Sequence, residues 1–346
     1  MLNEQKRWYE KAGTDSDVVI STRVRLARNL ADYPFPNRMT AEQKAEVEKK
    51  VCDAILNSNS AIASAFGFMP MDEMSREQAV SLVERHIVSP EFIANSKGRG
   101  VLISKDESIS IMLNEEDHVR LQILHEGLAL EEAAELADRV DTLLNETLHF
   151  AFDPELGFLT QCPTNLGTGM RASVMMHLPA LAESGAMGRI ANNLSKLGLV
   201  IRGTYGEGSK VVGAMYQLSN QITLGLSEKE AVQNLQNIAR QLMQEERKAR
   251  KTMVNNITVQ DKIGRSAGII RGAKVLSCDE YMSMISNVRL GLSEGVLSGV
   301  TIEEINTLTA AVQPATLQAE NGGNLQPTQR DILRATKVRE ALSALQ

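Results

Sequence analysis

The sequence predicts an α+β fold, an antiparallel sheet flanked by helices over residues 15–252 and a small all-helical domain over residues 253–346. Two observations lead there. Short runs of alternating apolar residues are interleaved with helical repeats in the first two-thirds, and only the helical repeat persists in the last third.

The first strand is expected over Asp17 to Arg25, around Val18, Ile20, Val24 and Leu26. Gly100 to Ser104 is a short apolar run, and Ile109, Ile111 and Leu113 share one strand face. Leu199 to Ile201 and Lys210 to Leu218 read as two strands across a glycine-rich turn. Thr40 with Gln43 forms a capping box ahead of Val47, Val51 and Ile55, and Ala133 to Leu144 repeats at helical spacing. Ser227 with Glu230 opens a helix through Leu235, Ala239 and Leu242, and the domain boundary is placed just after it. Beyond it, Ser277/Glu280, Thr301/Glu304 and Thr328/Asp331 mark further helix starts, with residues 313–329 expected as loop.

Composition narrows the function. There are 37 Lys plus Arg against 43 Asp plus Glu, a net charge of −6, so general nucleic-acid binding is disfavoured. Cys52, Cys162 and Cys278 form no CxxC pair and lack zinc spacing to histidine, which argues against a disulfide framework or a structural metal. No apolar run reaches the roughly 18 to 20 residues of a membrane span, nor is there a signal-peptide core. A cytoplasmic protein is expected, with no membrane partner.

Four segments carry candidate chemistry. In Ser21-Thr22-Arg23-Val24-Arg25 the arginines sit two apart on a strand, so both leave one face while Val24 takes the other. Solvated surface arginines are the plain alternative. Glu115-Glu116-Asp117 places three acids at the end of a strand, where they are either solvated or offset by a cation, a metal or a guanidinium. Residues 162–171 are turn-rich, with Gly167 and Gly169 where backbone amides could approach phosphate, and end in Arg171. Residues 202–209 hold Arg202 and Glu207 on a glycine-rich loop, either a lid or an ordinary hairpin loop.

These segments, with Glu84-Arg85-His86, resemble in the same order the motifs of the phosphagen (guanidino) kinases, over most of residues 15–250. The resemblance implies that residues 15–252 are a catalytic domain that transfers the γ-phosphoryl group of Mg-ATP to a guanidinium nitrogen. Within the family, the chain is similar to the bacterial branch that phosphorylates protein arginine. Twenty residues precede Ser21, where creatine and arginine kinases carry a helical domain that closes over a free amino acid, so a site able to admit a protein side chain is expected. The segment Arg330-Asp331-Ile332-Leu333-Arg334-Ala335 looks like that branch's allosteric phosphoarginine-binding motif, although Arg330, Asp331 and Arg334 also have the spacing of a surface salt bridge.

Carried onto this sequence, the family pattern places ATP against Ser21, Thr22, Arg23, Val24, Arg25, His86, Arg120, Arg171, Ala172, Ser173, Val174, Met175, Arg202, Gly203, Thr204, Tyr205, Gly206 and Glu207. Glu116 is the implied catalytic carboxylate, Glu207 a second one, and Cys162 a thiol beside the guanidinium whose thiolate clustered cations would favour. No resident metal is expected. The resemblance also implies protein substrates carrying arginine, a homodimer, a zinc-binding activator protein, and delivery of marked proteins to a Clp-type protease in a stress response. Two other readings stay open: a kinase for free arginine or a related metabolite, and an inactive phosphoarginine-binding adaptor.

Overall fold

The computed structural model describes residues 6–60, 62–203, 211–323 and 325–346. After a short 3-10 turn at Trp8–Glu10 the chain forms β1 (Val19–Arg28), α1 (Ala41–Leu56), β2 (Phe66–Pro70), α2 (Arg76–Glu84), α3 (Pro90–Ile93), β3 (Gly100–Ser104), β4 (Ile109–Leu113), β5 (Val119–Glu126) and α4 (Leu130–Leu148). A two-residue hairpin pair follows, β6 (Phe152–Asp153) and β7 (Gly157–Phe158), then β8 (Met170–His177), α5 (Pro179–Glu183), α6 (Met187–Lys196), β9 (Leu199–Gly203), β10 (Met215–Asn220) and α7 (Glu228–Met253). The rest is helical: α8 (Ile257–Gly272), α9 (Cys278–Ser293), α10 (Ile302–Ala311), α11 (Pro314–Glu320) and α12 (Pro327–Ala341).

Eight strands form one sheet in the order β2-β3-β4-β5-β1-β8-β10-β9, each pair antiparallel. Alternation divides the sheet into two unlike faces. Val24, Leu26, Leu121, Ile123, Ala172, Val174 and Leu218 point to one of them, where they pack with apolar residues of α1, α4 and α7 in the main core. Thr22 lies on that face too, fully buried, its Oγ1 donating to Gly127 O at 2.7 Å and accepting from Ala129 N at 3.0 Å. The opposite face is covered at one end, where Leu82, Ile87, Val88 and Phe92 pack on Val101, Ile103 and Met112. Its middle stays open.

The C-terminal helices have their own apolar cluster, including Ile270, Tyr281, Ile285, Val288, Leu308, Val338 and Leu342. Buried charge ties them to the sheet. Glu246 and Arg250 are wholly buried one turn apart on α7, with Arg250 Nε donating to Glu246 at 2.7 Å and its Nη atoms donating to Asp17 O at 2.9 Å and His177 O at 2.7 Å. Glu246 also accepts the Ala180 and Leu181 amides at 3.0 and 2.9 Å, so the carboxylate is fully partnered, as burial demands. From α9, Arg289 donates to Ser16 O at 2.8 Å, and Ser286 Oγ lies 2.8 Å from His177 Nε2.

The capping boxes at Thr40, Ser227 and Thr301 form as the sequence predicts, and Ser277 caps α9. Three expectations are corrected. The stretch 313–329 is not all loop, because α11 lies within it, started by Pro314 and capped by a carboxylate from α2. The last helix begins at Pro327 with Gln326 and Gln329 as its capping box rather than Thr328 and Asp331. The strand expected over 210–218 runs instead from Met215 to Asn220, after a turn in which Gly213 and Ala214 both have positive φ; Lys210 lies outside the described residues. Among the described residues, no helix is long and apolar enough to cross a membrane.

Candidate active site

The open middle of the sheet is the floor of a cleft of about 780 Å³. Residues opposite one another in a ladder point to the same side, and the register puts Arg25 opposite Gln122 and Arg171, Arg23 opposite Ser173, and Arg202 opposite Gln217. With Arg120 from β5, the five arginines singled out in the sequence converge on this face, and all five line the cleft. Some are lightly tethered: Arg23 Nε donates to Ser173 Oγ and Arg171 Nη2 to Ser219 Oγ, both at 3.4 Å. Burial first, then the charges of Arg171 and Arg120, pulls the Arg23 pKa down to about 10. Burial and the same kind of repulsion from Arg23, Arg120 and Arg171 hold Arg25 well below the ordinary arginine range. A cluster whose members disfavour one another's charge is relieved by a polyanion, and a triphosphate has the charge to do it.

The loop between β4 and β5 assigns its three acids to different tasks. Asn114 turns the chain at φ 59°, its Nδ2 donating to Lys44 O at 3.1 Å and Gly98 O at 3.0 Å. Asp117 is buried and accepts from Asn29 Nδ2 at 2.6 Å and from the Gln161 amide at 2.8 Å. Glu115 is buried in an ion pair with Arg120 and a hydrogen bond from Ser89 Oγ. Glu116 also lines the cleft, and of the three acids its carboxylate is the accessible one, 36% exposed and 3.5 Å from Arg120 Nη2. Partial burial raises the Glu116 pKa, with Arg120 and a hydrogen bond from Cys162 opposing the rise. His118 closes the loop from behind: its Nδ1 accepts the Leu30 amide at 3.0 Å, which leaves Nε2 to donate to Pro34 O at 2.8 Å.

Beside Arg23, the residues Ser21, His86, Ser173, Met175 and Gln217 line a small extension of the cleft. Burial and the Arg23 charge lower the His86 pKa to about 4, so the imidazole there is neutral. Thr22, Val24, Ala172 and Val174 are turned to the opposite face and wholly buried, so their side chains do not reach the cleft. Gly203 ends β9, while Thr204, Tyr205, Gly206 and Glu207 lie outside the described residues. Gly167 does not line the cleft; with φ 106° it passes so close to Thr223 O that a Cβ would sit 2.3 Å away, and a close chain crossing requires glycine there.

The helix α12 holds Arg330 to Ala335. Arg334 is buried, donating to Val312 O and Leu276 O at 2.9 Å and to Asp331 Oδ1 at 2.5 Å, which is not the exposed salt bridge the spacing suggests. Arg330 Nε is buried with no hydrogen-bond partner among the described residues, Ile332 is exposed, and Ala335 packs in the helical core.

Sequence reasoning did not assign roles to Glu115, Ser89, Arg99, Gln122 or Gln217. Arg99 lies beside the loop, its Nε donating to Asn114 O at 3.2 Å and its Nη1 to Phe92 O at 2.7 Å. Strand alternation could have found Gln122 and Gln217, since both sit opposite arginines; the Ser89 to Glu115 contact joins distant segments and has no local signal.

An antiparallel sheet whose open face gathers five arginines beside an accessible carboxylate defines a phosphoryl-transfer enzyme, positioning and charge neutralisation being what that reaction needs. Residues 46–249 match the model of the ATP:guanido phosphotransferase C-terminal catalytic domain, and residues 256–346 that of the protein-arginine kinase McsB C-terminal domain. The chain belongs to the ATP:guanido phosphotransferase family. It is 45% identical over 331 residues to a protein-arginine kinase of Caldanaerobacter subterraneus subsp. tengcongensis, covering 95% of this chain and 98% of that protein. A protein-arginine kinase of Halothermothrix orenii is 44% identical, with 97% and 96% covered. Among solved structures, a lombricine kinase matches with a TM-score of 0.60 at 27% identity over 71% of this chain and 72% of that one. The substrate-free duplicated taurocyamine kinase of Schistosoma mansoni matches with a TM-score of 0.58 at 32% identity over 70% of this chain and 36% of that one.

Proposed function

We propose that this phosphotransferase is a protein-arginine kinase that moves the γ-phosphoryl group of ATP to arginine side chains of proteins. The observation that carries the reading is Glu116, which lines the arginine-rich cleft with a carboxylate more exposed than that of its neighbour Glu115, the latter being buried against Arg120. An arginine acceptor stays protonated in water, with a pKa above about 12, and is a poor nucleophile until it is aligned and loses a proton. Glu116 forms the carboxylate half of a guanidinium pair and takes that proton as the nitrogen attacks the γ-phosphorus and ADP departs. Cys162, its Sγ 3.0 Å from Thr164 Oγ1 and close enough to Glu116 to oppose the rise that burial gives its pKa, steadies the carboxylate on the acceptor side. Arg23, Arg25, Arg120, Arg171 and Arg202 hold the phosphates and neutralise the charge that spreads over their oxygens. Mg²⁺ arrives as part of the substrate on those phosphates, a mode that needs no all-protein cage. His86, Ser173, Met175 and Gln217 take the rest of the nucleotide. Glu207 serves as the second carboxylate.

The choice of protein arginine over a free metabolite rests on the likeness of residues 256–346 to the McsB C-terminal domain and on the protein-arginine kinases matched along nearly the whole chain. On this reading the division near residue 252 separates catalysis from regulation, and Arg330 to Ala335 bind phosphoarginine and stimulate the catalytic part. Arg330 meets the phosphoryl group, since Arg334 is occupied by carbonyls. A cytoplasmic homodimer, a zinc-binding activator and delivery of marked proteins to a Clp-type protease complete the proposal. Radiolabelled ATP and an unfolded protein test it: label should appear on macromolecule and be lost in acid. Label found only on free arginine when both acceptors are offered would replace it with the metabolite-kinase reading.

A further inference from the structure

His86 occupies an unusual backbone position. It follows α2 at φ 62°, in the left-handed region that a helix end normally gives to glycine. Its amide donates to Val83 O and that of Ile87 to Leu82 O, both at 2.9 Å, which is the hydrogen-bond pattern of a Schellman stop. A β-carbon is disfavoured there, so an imidazole sits at a strained position facing the nucleotide end of the cleft. Gln122 Nε2 donates to His86 O at 2.9 Å and fixes the turn on the sheet.

Two residues earlier, Glu84 ends the same helix and points the other way. Its carboxylate accepts the amides of Ala315 and Thr316 at 2.8 Å each, and Thr316 Oγ1 at 3.0 Å. Thr316 Oγ1 lies 3.2 Å from Ser81 Oγ, so α2 and α11 are pinned at two points on one face. Gln313, the N-cap residue of α11, makes no side-chain cap of its own; Glu84 supplies that cap from the catalytic part of the chain. Between these contacts and the sheet lies an apolar cavity of about 100 Å³ lined by Glu84, His86, Met175, Met215, Met282 and Gln313. The cavity means that the end of α2 is not tightly packed on that side, so the Glu84 clamp has positional work to do.

We propose that Glu84 is a positioning residue for nucleotide binding: by clamping the end of α2 to α11, it sets the His86 imidazole at the nucleotide end of the cleft and makes the C-terminal helices a working part of the ATP site. The proposal rests on the reading of the cleft as an ATP site. It requires no contact between Glu84 and ATP.

The full-length protein and its Glu84→Gln, Glu84→Asp and Thr316→Val variants test it, with three readouts: KM for ATP against kcat, binding of a fluorescent ATP analogue, and the NMR signals of the His86 imidazole without nucleotide. Glu84→Gln should raise KM and the analogue Kd about tenfold, the equivalent of about 1.4 kcal/mol, with kcat within about twofold. The His86 signals should move, Glu84→Asp should recover part of the loss, and the effects of Glu84→Gln and Thr316→Val should combine to less than their sum, because the two residues share a bond. Should Glu84→Gln not fold, Thr316→Val, which removes the hydroxyl contacts to Glu84 and Ser81 but keeps the two amide bonds to Glu84, is expected to give a rise of about twofold together with a smaller His86 shift. Unchanged His86 signals and an unchanged KM in a folded variant overturn the proposal. A parent protein that binds no nucleotide defeats the reading of the cleft instead, and the His86 signals still report on the clamp.

Discussion

Arg120 lies between two glutamates, paired with Glu115 and with its Nη2 3.5 Å from the carboxylate of Glu116. The geometry distributes labour along one loop. Glu115 holds Arg120 in place, and Glu116 remains available to an incoming guanidinium.

Glu116→Gln keeps the size of the side chain and removes the base. Transfer to protein arginine should fall by at least about a hundredfold, the lower end of what general-base catalysis contributes, while ATP affinity stays within about twofold. Steady-state kinetics with a separate nucleotide-binding titration checks this, and near-normal turnover would assign the proton to another group.

Arg171→Met should weaken nucleotide binding and transfer together. A charge-assisted bond contributes about 1.5 to 3 kcal/mol, so a loss of roughly ten- to a hundredfold in ATP affinity is expected. The relief of Arg23 and Arg25 from a neighbouring charge offsets part of it, which places the expected value toward the lower end. Calorimetric titration with ATP reads the change; an unaltered Kd would remove Arg171 from the phosphate cluster.

Much of this site was legible because it follows strand alternation. Arg23 and Arg25 two apart, with Val24 between them, announce a cationic face and a core face, and the sheet has both. The same alternation shows why Thr22, Val24, Ala172 and Val174 keep their side chains out of the cleft even though the motif that carries them is contiguous. What escaped the sequence depends on partners far along the chain. The helix α11 reads as loop because its cap is Glu84, 231 residues from Ala315. Arg334 reads as a surface residue because the carbonyls that hold it, Val312 and Leu276, belong to other turns of the chain.

Acid should destabilise the fold. Burial, with neighbouring arginines in two cases, lowers the pKa of His86, His118 and His177 below the ordinary 6.5, so the unfolded chain binds more protons than the folded one beneath that value. Where the unfolded state binds more protons, stability rises with pH and is lost as pH falls. Urea midpoints should therefore be lower at about pH 5.5 than at about pH 7, and an equal or higher midpoint in acid would contradict neutral buried histidines.

Arg250→Met leaves Glu246 buried with its two amide donors and no counter-charge. Removing one partner of a buried pair costs about 3 to 5 kcal/mol, and the two amides should keep the loss near the lower figure. Chemical denaturation measures it; a loss under about 1 kcal/mol would mean that water reaches Glu246.

The central claim is phosphoryl transfer from ATP to protein arginine at Glu116. Its most direct test is mass spectrometry, under non-acidic conditions, of an unfolded protein incubated with Mg-ATP and either the parent enzyme or Glu116→Gln. The account predicts phosphoarginine from the parent, lost on acid treatment, and almost none from the variant. Acid-stable phosphate on serine or threonine, or equal phosphoarginine from both enzymes, would contradict it.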